Sequence, residues 1–237
     1  MHTLLRLLPH LLTLTNLCAG CVASIALING TYDWVPWCLL VSAVADFLDG
    51  FAARAAGVSG PFGRELDSLA DMVSFGLVPG LMAFVMLGGG GAHLHTYSVL
   101  AFAALLIPLM SAVRLARFNI EQSDTKHFIG LATPANTLLW FGLFMTWLTD
   151  AGGAGFQSLL APPFILTVVV LTSYLLVSNF TYFSNKLNPL AVRNWSVWLV
   201  AAAFVILPFF IGWASIPVAM ALYVLSPLVW RPATATT

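Results

Sequence analysis

One stretch of the sequence, residues 46–71, decides the fold, and it reads DFLDGFAARAAGVSGPFGRELDSLAD. Five of the nine acidic residues of the chain fall inside it, and long apolar runs flank it on both sides. A carboxylate inside or beside a membrane-length apolar run is costly, so such a group marks a functional site. The five residues are Asp46, Asp49, Glu65, Asp67 and Asp71.

Helical spacing predicts that four of these carboxylates converge. Asp46 and Asp49 share one face of a helix, and so do Asp67 and Asp71, because residues three or four apart are neighbours on a helix. A short glycine-rich turn between the two helices would bring both pairs together. Uncompensated carboxylates repel one another, and a divalent cation relieves that repulsion. Hard oxygen ligands select Mg²⁺, Mn²⁺ or Ca²⁺.

The composition predicts an all-α integral membrane protein. The 237 residues are 60% hydrophobic and 8% charged, with a formal net charge of zero. Soluble domains carry roughly 25% charged residues. Only helices and closed barrels satisfy the backbone inside a bilayer, and the long apolar runs favour helices. The zero net charge gives no sign of nucleic-acid binding, so we expect no nucleic-acid partner.

The apolar runs predict a polytopic bundle of about eight transmembrane helices. Residues 1–10 are expected to form a short interfacial segment, and Pro79 and Pro108 predict kinks. Six spans form a core over residues 1–183, and two further spans of the same domain occupy residues 184–237. The predicted spans are residues 11–28, 33–56, 65–87, 97–118, 134–148, 164–183, 195–211 and 216–229.

The distribution of basic residues predicts the orientation of these spans. All nine Lys and Arg residues lie at the chain ends, or within or next to alternate connections between the predicted spans. Basic residues accumulate on the cytoplasmic side of a membrane. We therefore expect both termini and the acidic stretch to face the cytoplasm, from a cytoplasmic (inner) membrane.

The acidic stretch resembles, at every fixed position, the signature of the CDP-alcohol phosphatidyltransferase family. The matching residues are Asp46, Asp49, Gly50, Ala53, Arg54, Gly63, Asp67 and Asp71. The resemblance implies a homodimeric membrane enzyme that uses Mg²⁺ or Mn²⁺, with two ions in the site. It implies that the first three aspartates bind metal and that Asp71 is the general base, which also touches a metal.

The residues agree with the chemistry that the resemblance implies. Two cations can clamp the attacking and leaving oxygens of a phosphoryl group. Gly50 and Gly63 lack side chains and would let a nucleotide or diphosphate approach the backbone. Arg54 can donate paired hydrogen bonds to a phosphate. The full set expected to bind the CDP-lipid is Asn16, Gly50, Ala53, Arg54, Ser59, Gly60 and Gly63.

Three positions within and beside this set leave questions open. Asn16 lies in the first span, where it would contact the cytidine or form hydrogen bonds between helices. His10 stands where the family often has Asn. Gly60 stands where relatives often carry Ser or Thr, and Ser59 or backbone N–H groups would have to substitute.

Further segments resemble the phosphatidylserine synthase branch of the family: residues 10–24, 62–80, 114–119 and 128–135. This resemblance implies L-serine as acceptor. Arg114 and Arg117 share a helical face, and one could hold the serine carboxylate while the other holds the lipid phosphate. The alternative is that both are interfacial anchors. Glu65 or Asn119 would read the serine ammonium, and Lys126 would attract an anionic headgroup or serve as a plain interfacial charge.

The expected reaction is therefore CDP-diacylglycerol plus L-serine giving phosphatidylserine and CMP. The nearest alternative is the same chemistry with another acceptor, such as glycerol 3-phosphate or inositol phosphate, or with an ether-linked lipid donor. An alternative from another class is a divalent-cation transporter, which predicts acidic residues deep in several spans. Here the carboxylates cluster toward one predicted membrane face.

Overall fold

The computed structural model describes residues 2–57, 60–89, 99–121, 130–149, 159–178 and 207–229. Every regular element within these ranges is helical, which confirms the predicted all-α class. The α-helices are α1 (His2–Asn29), α2 (Val35–Ala56), α3 (Pro61–Asp71), α4 (Val78–Phe84), α5 (Leu106–Glu121), α6 (Thr133–Thr149), α7 (Pro162–Val177) and α8 (Ser215–Val229). A single helical turn, Pro208–Ile211, precedes α8.

Four helical segments are long and apolar enough to cross a membrane, so the protein is an integral membrane protein. They are Leu7–Asn29, Tyr32–Ala55, Pro61–Gly88 and Val99–Ile120, and two shorter apolar segments are Pro162–Val177 and Pro208–Val224. The count of about eight spans remains a prediction. Most of the predicted seventh span, 195–211, and the end of the sixth lie outside the described residues.

The first helix differs from the expectation of a separate interfacial segment over residues 1–10. Instead, α1 runs without a break through Pro9. A proline inside a helix removes one hydrogen bond, here the one to the carbonyl of Leu5 four residues earlier, and the helix continues on both sides of it. The Thr13 hydroxyl oxygen, one turn later, lies 3.0 Å from the carbonyl oxygen of Pro9.

The third membrane segment changes its winding where a kink was predicted. Between α3 and α4, residues Met72–Leu77 form a π-helical segment. Pro79 has no N–H to offer the carbonyl of Phe75, four residues earlier. The hydroxyl of Thr137 on α6 donates to that carbonyl instead, at 2.9 Å. The proline thus opens the helix at a point where a neighbouring helix supplies the missing donor.

Contacts between helices show that alternate helix ends gather at one end of the bundle. Thr13 near the start of α1 bonds to Asp49 near the end of α2, and Asn119 near the end of α5 bonds to Glu65 in α3. Arg54, Arg64, Arg114 and Arg117 all belong to these ends. Exposed Trp34 and Trp37 lie at the opposite end of the α1–α2 hairpin, where an interfacial aromatic belt is expected.

The apolar core fills the half of the bundle away from the aspartates. Trp140 and Phe144 on α6 are its largest fully buried side chains, and Leu27, Met82 and Ile165 bring α1, α4 and α7 against them. On α6, a Cβ added at Gly142 would lie 2.6 Å from Cδ of Pro217. The last described helix therefore packs directly on the core, while the division at residue 183 remains a prediction.

The crossing of α1 with the π-helical segment depends on Gly20. A Cβ at this position would lie 2.5 Å from the Ser74 Oγ atom and 2.9 Å from its Cα atom. Small residues allow membrane helices to approach this closely. The close approach also places the Ser74 hydroxyl within 3.0 Å of the Asn16 carbonyl oxygen.

We predict that Gly20→Val destabilises the protein, because the two backbones must separate to admit the side chain. The expected loss in the free energy of unfolding is about 1–3 kcal/mol, as for other overpacked sites. Thermal unfolding in detergent micelles measures it. Cys21→Val is the matched control, since Cys21 is the exposed neighbour on the same helix. Equal melting temperatures for the two variants would contradict this account of the crossing.

Candidate active site

Three carboxylates from two helices meet at the polar end of the bundle. Asp46 and Asp49 lie one turn apart on α2, and Asp67 lies on α3. One oxygen from each carboxylate lies within 4.8 Å of the corresponding oxygens of the other two. Asp49 is 6% exposed, and the other two are partly buried. The structure thus brings together three of the four aspartates as the helical spacing predicted.

Asp71, the fourth aspartate, extends this group by one turn of α3. Its carboxyl group lies against that of Asp46. Its Oδ1 atom accepts a hydrogen bond from Nδ2 of Asn16, at 3.2 Å. Asp71 is therefore connected both to the carboxylate cluster and to the first helix.

Helix α1 supplies the polar frame of the cluster. The Thr13 hydroxyl donates to Oδ2 of Asp49 at 2.6 Å. Asn16 is fully buried, and its backbone carbonyl accepts hydrogen bonds from Ser42 at 3.2 Å and Ser74 at 3.0 Å. Two adjacent turns of α1 thus fix the positions of α2 and of the π-helical segment that follows α3.

The sequence pattern predicted Asn16 as a site residue, but it did not predict Thr13, Ser42 or Ser74. The available signal was helical spacing. Thr13 precedes Asn16 by three residues, Ser42 precedes Asp46 by four, and Ser74 follows Asp71 by three. Each hydroxyl therefore shares a helix face with a residue that was predicted to belong to the site.

The cluster has the properties of a divalent-cation site. Oδ1 of Asp67 is buried and has no hydrogen-bond partner among the described residues. A buried polar atom without a partner costs free energy, and the cost is largest for a charged group. A hard cation such as Mg²⁺ or Mn²⁺ would ligate such oxygens. The donor set therefore fits the metal chemistry predicted from the sequence.

The residues predicted to bind a CDP-lipid lie in differing environments. Arg54 is exposed in the last turn of α2, and its Nη1 atom lies 3.5 Å from the Cβ position of Gly50. Gly60 precedes α3, and no atom lies within 4 Å of its Cβ position. Ala53 is partly buried on α2, and Ser59 lies outside the described residues.

Gly63 does not leave the open approach that was expected. Its Cβ position lies 3.3 Å from Cε1 of His10. The His10 ring packs edge-on against Phe62, with 5.5 Å between ring centroids. The missing side chain at Gly63 therefore makes room for the imidazole, because α1 crosses α3 at this point.

The residues predicted to hold the acceptor separate into two environments. Arg114 is 8% exposed and has Asp71 and Tyr223 as its electrostatic neighbours. Arg117 is exposed, and its Nη1 atom donates to the Val177 carbonyl at 3.2 Å. Arg114 thus interacts electrostatically with one aspartate of the site, Asp71, whereas Arg117 joins α5 to the end of α7.

Glu65 and Asn119, the residues predicted to read the ammonium group, bond to each other. Nδ2 of Asn119 donates to Oε2 of Glu65 at 3.2 Å, and its Oδ1 atom accepts from the Ser68 hydroxyl at 3.1 Å. This pair ties the end of α5 to α3. Lys126 lies outside the described residues.

The fold and the site together define a class of protein, an all-helical membrane bundle with a carboxylate cluster suited to divalent cations. A model of one family, CDP-alcohol phosphatidyltransferase, matches residues 6–174. The match spans the described part of the candidate site. The chain belongs to the CDP-alcohol phosphatidyltransferase family, which confirms the resemblance seen in its sequence.

Curated relatives extend this finding. The chain is 32% identical over 180 residues to the CDP-diacylglycerol–serine O-phosphatidyltransferase of Helicobacter pylori, covering 75% of this chain and 72% of the relative. It is 30% identical over 226 residues to the protein of the same name from Mycobacterium leprae, covering 90% and 71%. It is also 30% identical over 178 residues to the archaetidylserine synthase of Methanothermobacter thermautotrophicus, covering 74% and 69%.

We predict that Thr13→Val weakens the binding of Mn²⁺ by about tenfold, because groups that orient a metal-binding carboxylate strongly affect affinity. The measurement is the Mn²⁺ concentration that gives half of the maximal thermal stabilisation. Thr15→Val is the matched control, since the exposed Thr15 hydroxyl donates only to the Leu11 carbonyl, at 2.8 Å, among the described residues. Equal Mn²⁺ dependence in the two variants would refute the role given to Thr13.

Proposed function

We propose that this protein transfers the phosphatidyl group from CDP-diacylglycerol to the hydroxyl of L-serine, giving phosphatidylserine and CMP. Family membership supports the class of reaction, and the names of the three relatives all specify serine as the acceptor or as part of the product. The observation that carries the proposal is the buried Arg114, which has Asp71 as an electrostatic neighbour. It offers a fixed positive charge to an acceptor carboxylate, next to a carboxylate that can accept a proton.

In this proposal Asp46, Asp49, Asp67 and Asp71 hold two divalent cations, Mg²⁺ or Mn²⁺. When bound, such ions neutralise the phosphate oxygens and stabilise the charge that develops during the displacement. The buried Oδ1 of Asp67 supports the assignment, because it needs a partner that no described side chain supplies. Thr13 and Asn16 orient Asp49 and Asp71 through their hydrogen bonds.

The donor lipid is proposed to enter from the membrane with its diphosphate beside the carboxylates. Arg54 is exposed at this end of α2 and would donate to a phosphate. The open space at Gly60 lies before α3, whose first N–H groups favour an anion. Gly50, Ala53 and Asn16 complete the proposed contacts, with Ser59 included from the sequence alone, whereas the space at Gly63 is taken by His10.

The chemical step is proposed to be a direct displacement. Asp71 takes the proton from the serine hydroxyl, and the serine oxygen forms a bond to the phosphorus that carries diacylglycerol. The bond from that phosphorus to the oxygen of CMP breaks, and CMP leaves with the electron pair. Positioning and electrostatic stabilisation supply most of the rate enhancement in reactions of this kind.

Arg114 is proposed to hold the serine carboxylate and Arg117 the lipid phosphate. Glu65 and Asn119 are proposed to lie near the serine ammonium, with Lys126 attracting the anionic headgroup. We further propose a homodimer in the cytoplasmic membrane, with both termini and the site on the cytoplasmic side. The gathering of four arginines at the polar end supports this orientation.

The test of the proposed function is CMP release by purified protein in mixed lipid–detergent micelles. CDP-diacylglycerol and Mn²⁺ are supplied with L-serine, glycerol 3-phosphate, inositol phosphate or no acceptor. We expect release that depends on serine and that EDTA abolishes. Release with another acceptor alone would reject serine while keeping the metal site. The absence of release with every acceptor would favour the cation-transport alternative.

We predict that Asp71→Asn abolishes turnover, because the amide cannot accept the hydroxyl proton, while binding of CDP-diacylglycerol persists in part. Loss of a general base costs about 10²–10⁴-fold in rate. Asp33→Asn is the control, since Asp33 is exposed in the turn between α1 and α2, at the opposite end of that hairpin. Near wild-type turnover in Asp71→Asn would disprove the assignment of the base.

A further inference from the structure

A second group of polar side chains lies buried beyond Asp71, with atoms that have no hydrogen-bond partner among the described residues. We call it the inner polar cluster and define it as Ser111, Arg114, Asn136 and Ser173. The unpartnered atoms are the hydroxyl oxygens of Ser111 and Ser173, Nε of Arg114, and both Nδ2 and Oδ1 of Asn136. Ser111 and Asn136 are fully buried, Ser173 is 5% exposed and Arg114 is 8% exposed.

The π-helical segment after Asp71 is the common neighbour of this cluster. The Cβ position of Gly76 lies 3.1 Å from Cβ of Ser111 on α5. On α6, Thr137, the residue after Asn136, donates to the Phe75 carbonyl at 2.9 Å. The helices that carry Ser111 and Asn136 therefore both meet the segment directly behind Asp71.

Contacts on the other side close the same region around Arg114. Tyr223 of α8 is an electrostatic neighbour of Arg114 and, like Ala135, packs against the buried cluster of Leu131 and Leu175. Ala135 precedes Asn136, and Leu175 follows Ser173 by two residues. The Leu131 N–H donates to the Leu175 carbonyl at 3.0 Å. Residues from α5, α6 and α7 thus lie around one interior region that Arg114 links to Asp71.

Unpartnered polar atoms are expensive inside a membrane protein, where water cannot serve as a general substitute. The Asn136 amide stands out, because neither its donor nor its acceptor is used by a described residue. An amide can donate to a carboxylate and accept from an ammonium. Together with the Arg114 guanidinium, it matches a small zwitterion that carries both groups.

We propose that the inner polar cluster is the recognition site for the amino-acid part of the acceptor, with Asn136 and Ser111 as residues that determine specificity. This inference rests on the proposed function, which assigns serine as the acceptor. Asn136 binds the carboxylate and the ammonium together, in place of Glu65 and Asn119, which bond to each other, and Arg114 neutralises the carboxylate. Ser111 contributes its hydroxyl from the next turn of α5. The hydroxyl of the amino acid is thereby directed toward Asp71.

The test compares Asn136→Leu and Ser111→Ala with the wild-type full chain in lipid nanodiscs, by CMP release at varied serine and varied CDP-diacylglycerol. Loss of hydrogen bonds to a charged substrate is expected to raise the KM for serine in Asn136→Leu by about 10- to 100-fold. The KM for CDP-diacylglycerol stays unchanged. Ser111→Ala shows a smaller rise of the same kind, and it decides the test if Asn136→Leu fails to fold.

Thr146→Val is the matched control, because Thr146 is a buried polar residue on the same helix whose hydroxyl donates to the Gly142 carbonyl at 2.7 Å. It is expected to leave the KM for serine unchanged. Ethanolamine, which lacks the carboxylate, and 3-hydroxypropionate, which lacks the ammonium, are offered as competing acceptors. Wild-type protein should favour serine over both, and Asn136→Leu should lose most of that preference.

The outcomes separate this inference from the proposed function. If wild-type protein uses serine but the KM for serine is unchanged in both variants, the inference is overturned and the function stands. If both KM values rise together with a lower melting temperature, Asn136 is a packing residue and the inference is again overturned. If wild-type protein does not use serine at all, both the proposed function and the inference that rests on it are wrong.

Discussion

The hydrogen bonds that α1 makes through Thr13 and Asn16 are the interaction on which the site depends. Four carboxylates from α2 and α3 lie close together in a largely apolar bundle, where their mutual repulsion is poorly screened. Thr13 fixes Asp49, and Asn16 bonds to Asp71 while its carbonyl receives two serine hydroxyls. A helix without any acidic residue therefore determines where the acidic residues point.

This arrangement requires that the helices approach closely at the polar end and pack tightly at the other end. Gly20 allows α1 to reach the π-helical segment, and the missing side chain at Gly63 leaves space for His10. The apolar core around Trp140 and Phe144 holds the opposite half. The winding change forced by Pro79 also places Phe75 against Thr137, which brings α6 and its buried Asn136 toward the rear of the site.

Local patterns predicted the convergence of Asp46, Asp49 and Asp67, because helical spacing and a glycine-rich turn are sufficient to align them. Contacts between distant helices could not be predicted in this way. Single hydroxyls such as Thr13 are common in apolar helices, and their role appears only when the partner helix is known. For the same reason the sequence did not reveal that His10 would occupy the space at Gly63, or that Arg117 would bond to α7.

The sequence also predicted equivalent roles for Arg114 and Arg117, because their spacing alone cannot distinguish them. Burial distinguishes them, because Arg114 is buried with Asp71 and Tyr223 as its electrostatic neighbours, whereas Arg117 is exposed. Asn136 directly follows a segment that resembled the family, yet its unused amide becomes visible only in three dimensions. The length of the membrane spans and the chemistry of single side chains can thus be predicted from local sequence. The contacts of those side chains with distant helices cannot.

The most direct test of the central claim is an electron paramagnetic resonance titration of Mn²⁺ into the purified protein and into Asp67→Asn. The account predicts that wild-type protein binds Mn²⁺ and that Asp67→Asn binds it far more weakly, because the unpartnered buried oxygen of Asp67 belongs to the cation site. Equal binding by the two proteins, or no binding by the wild type, would contradict the account.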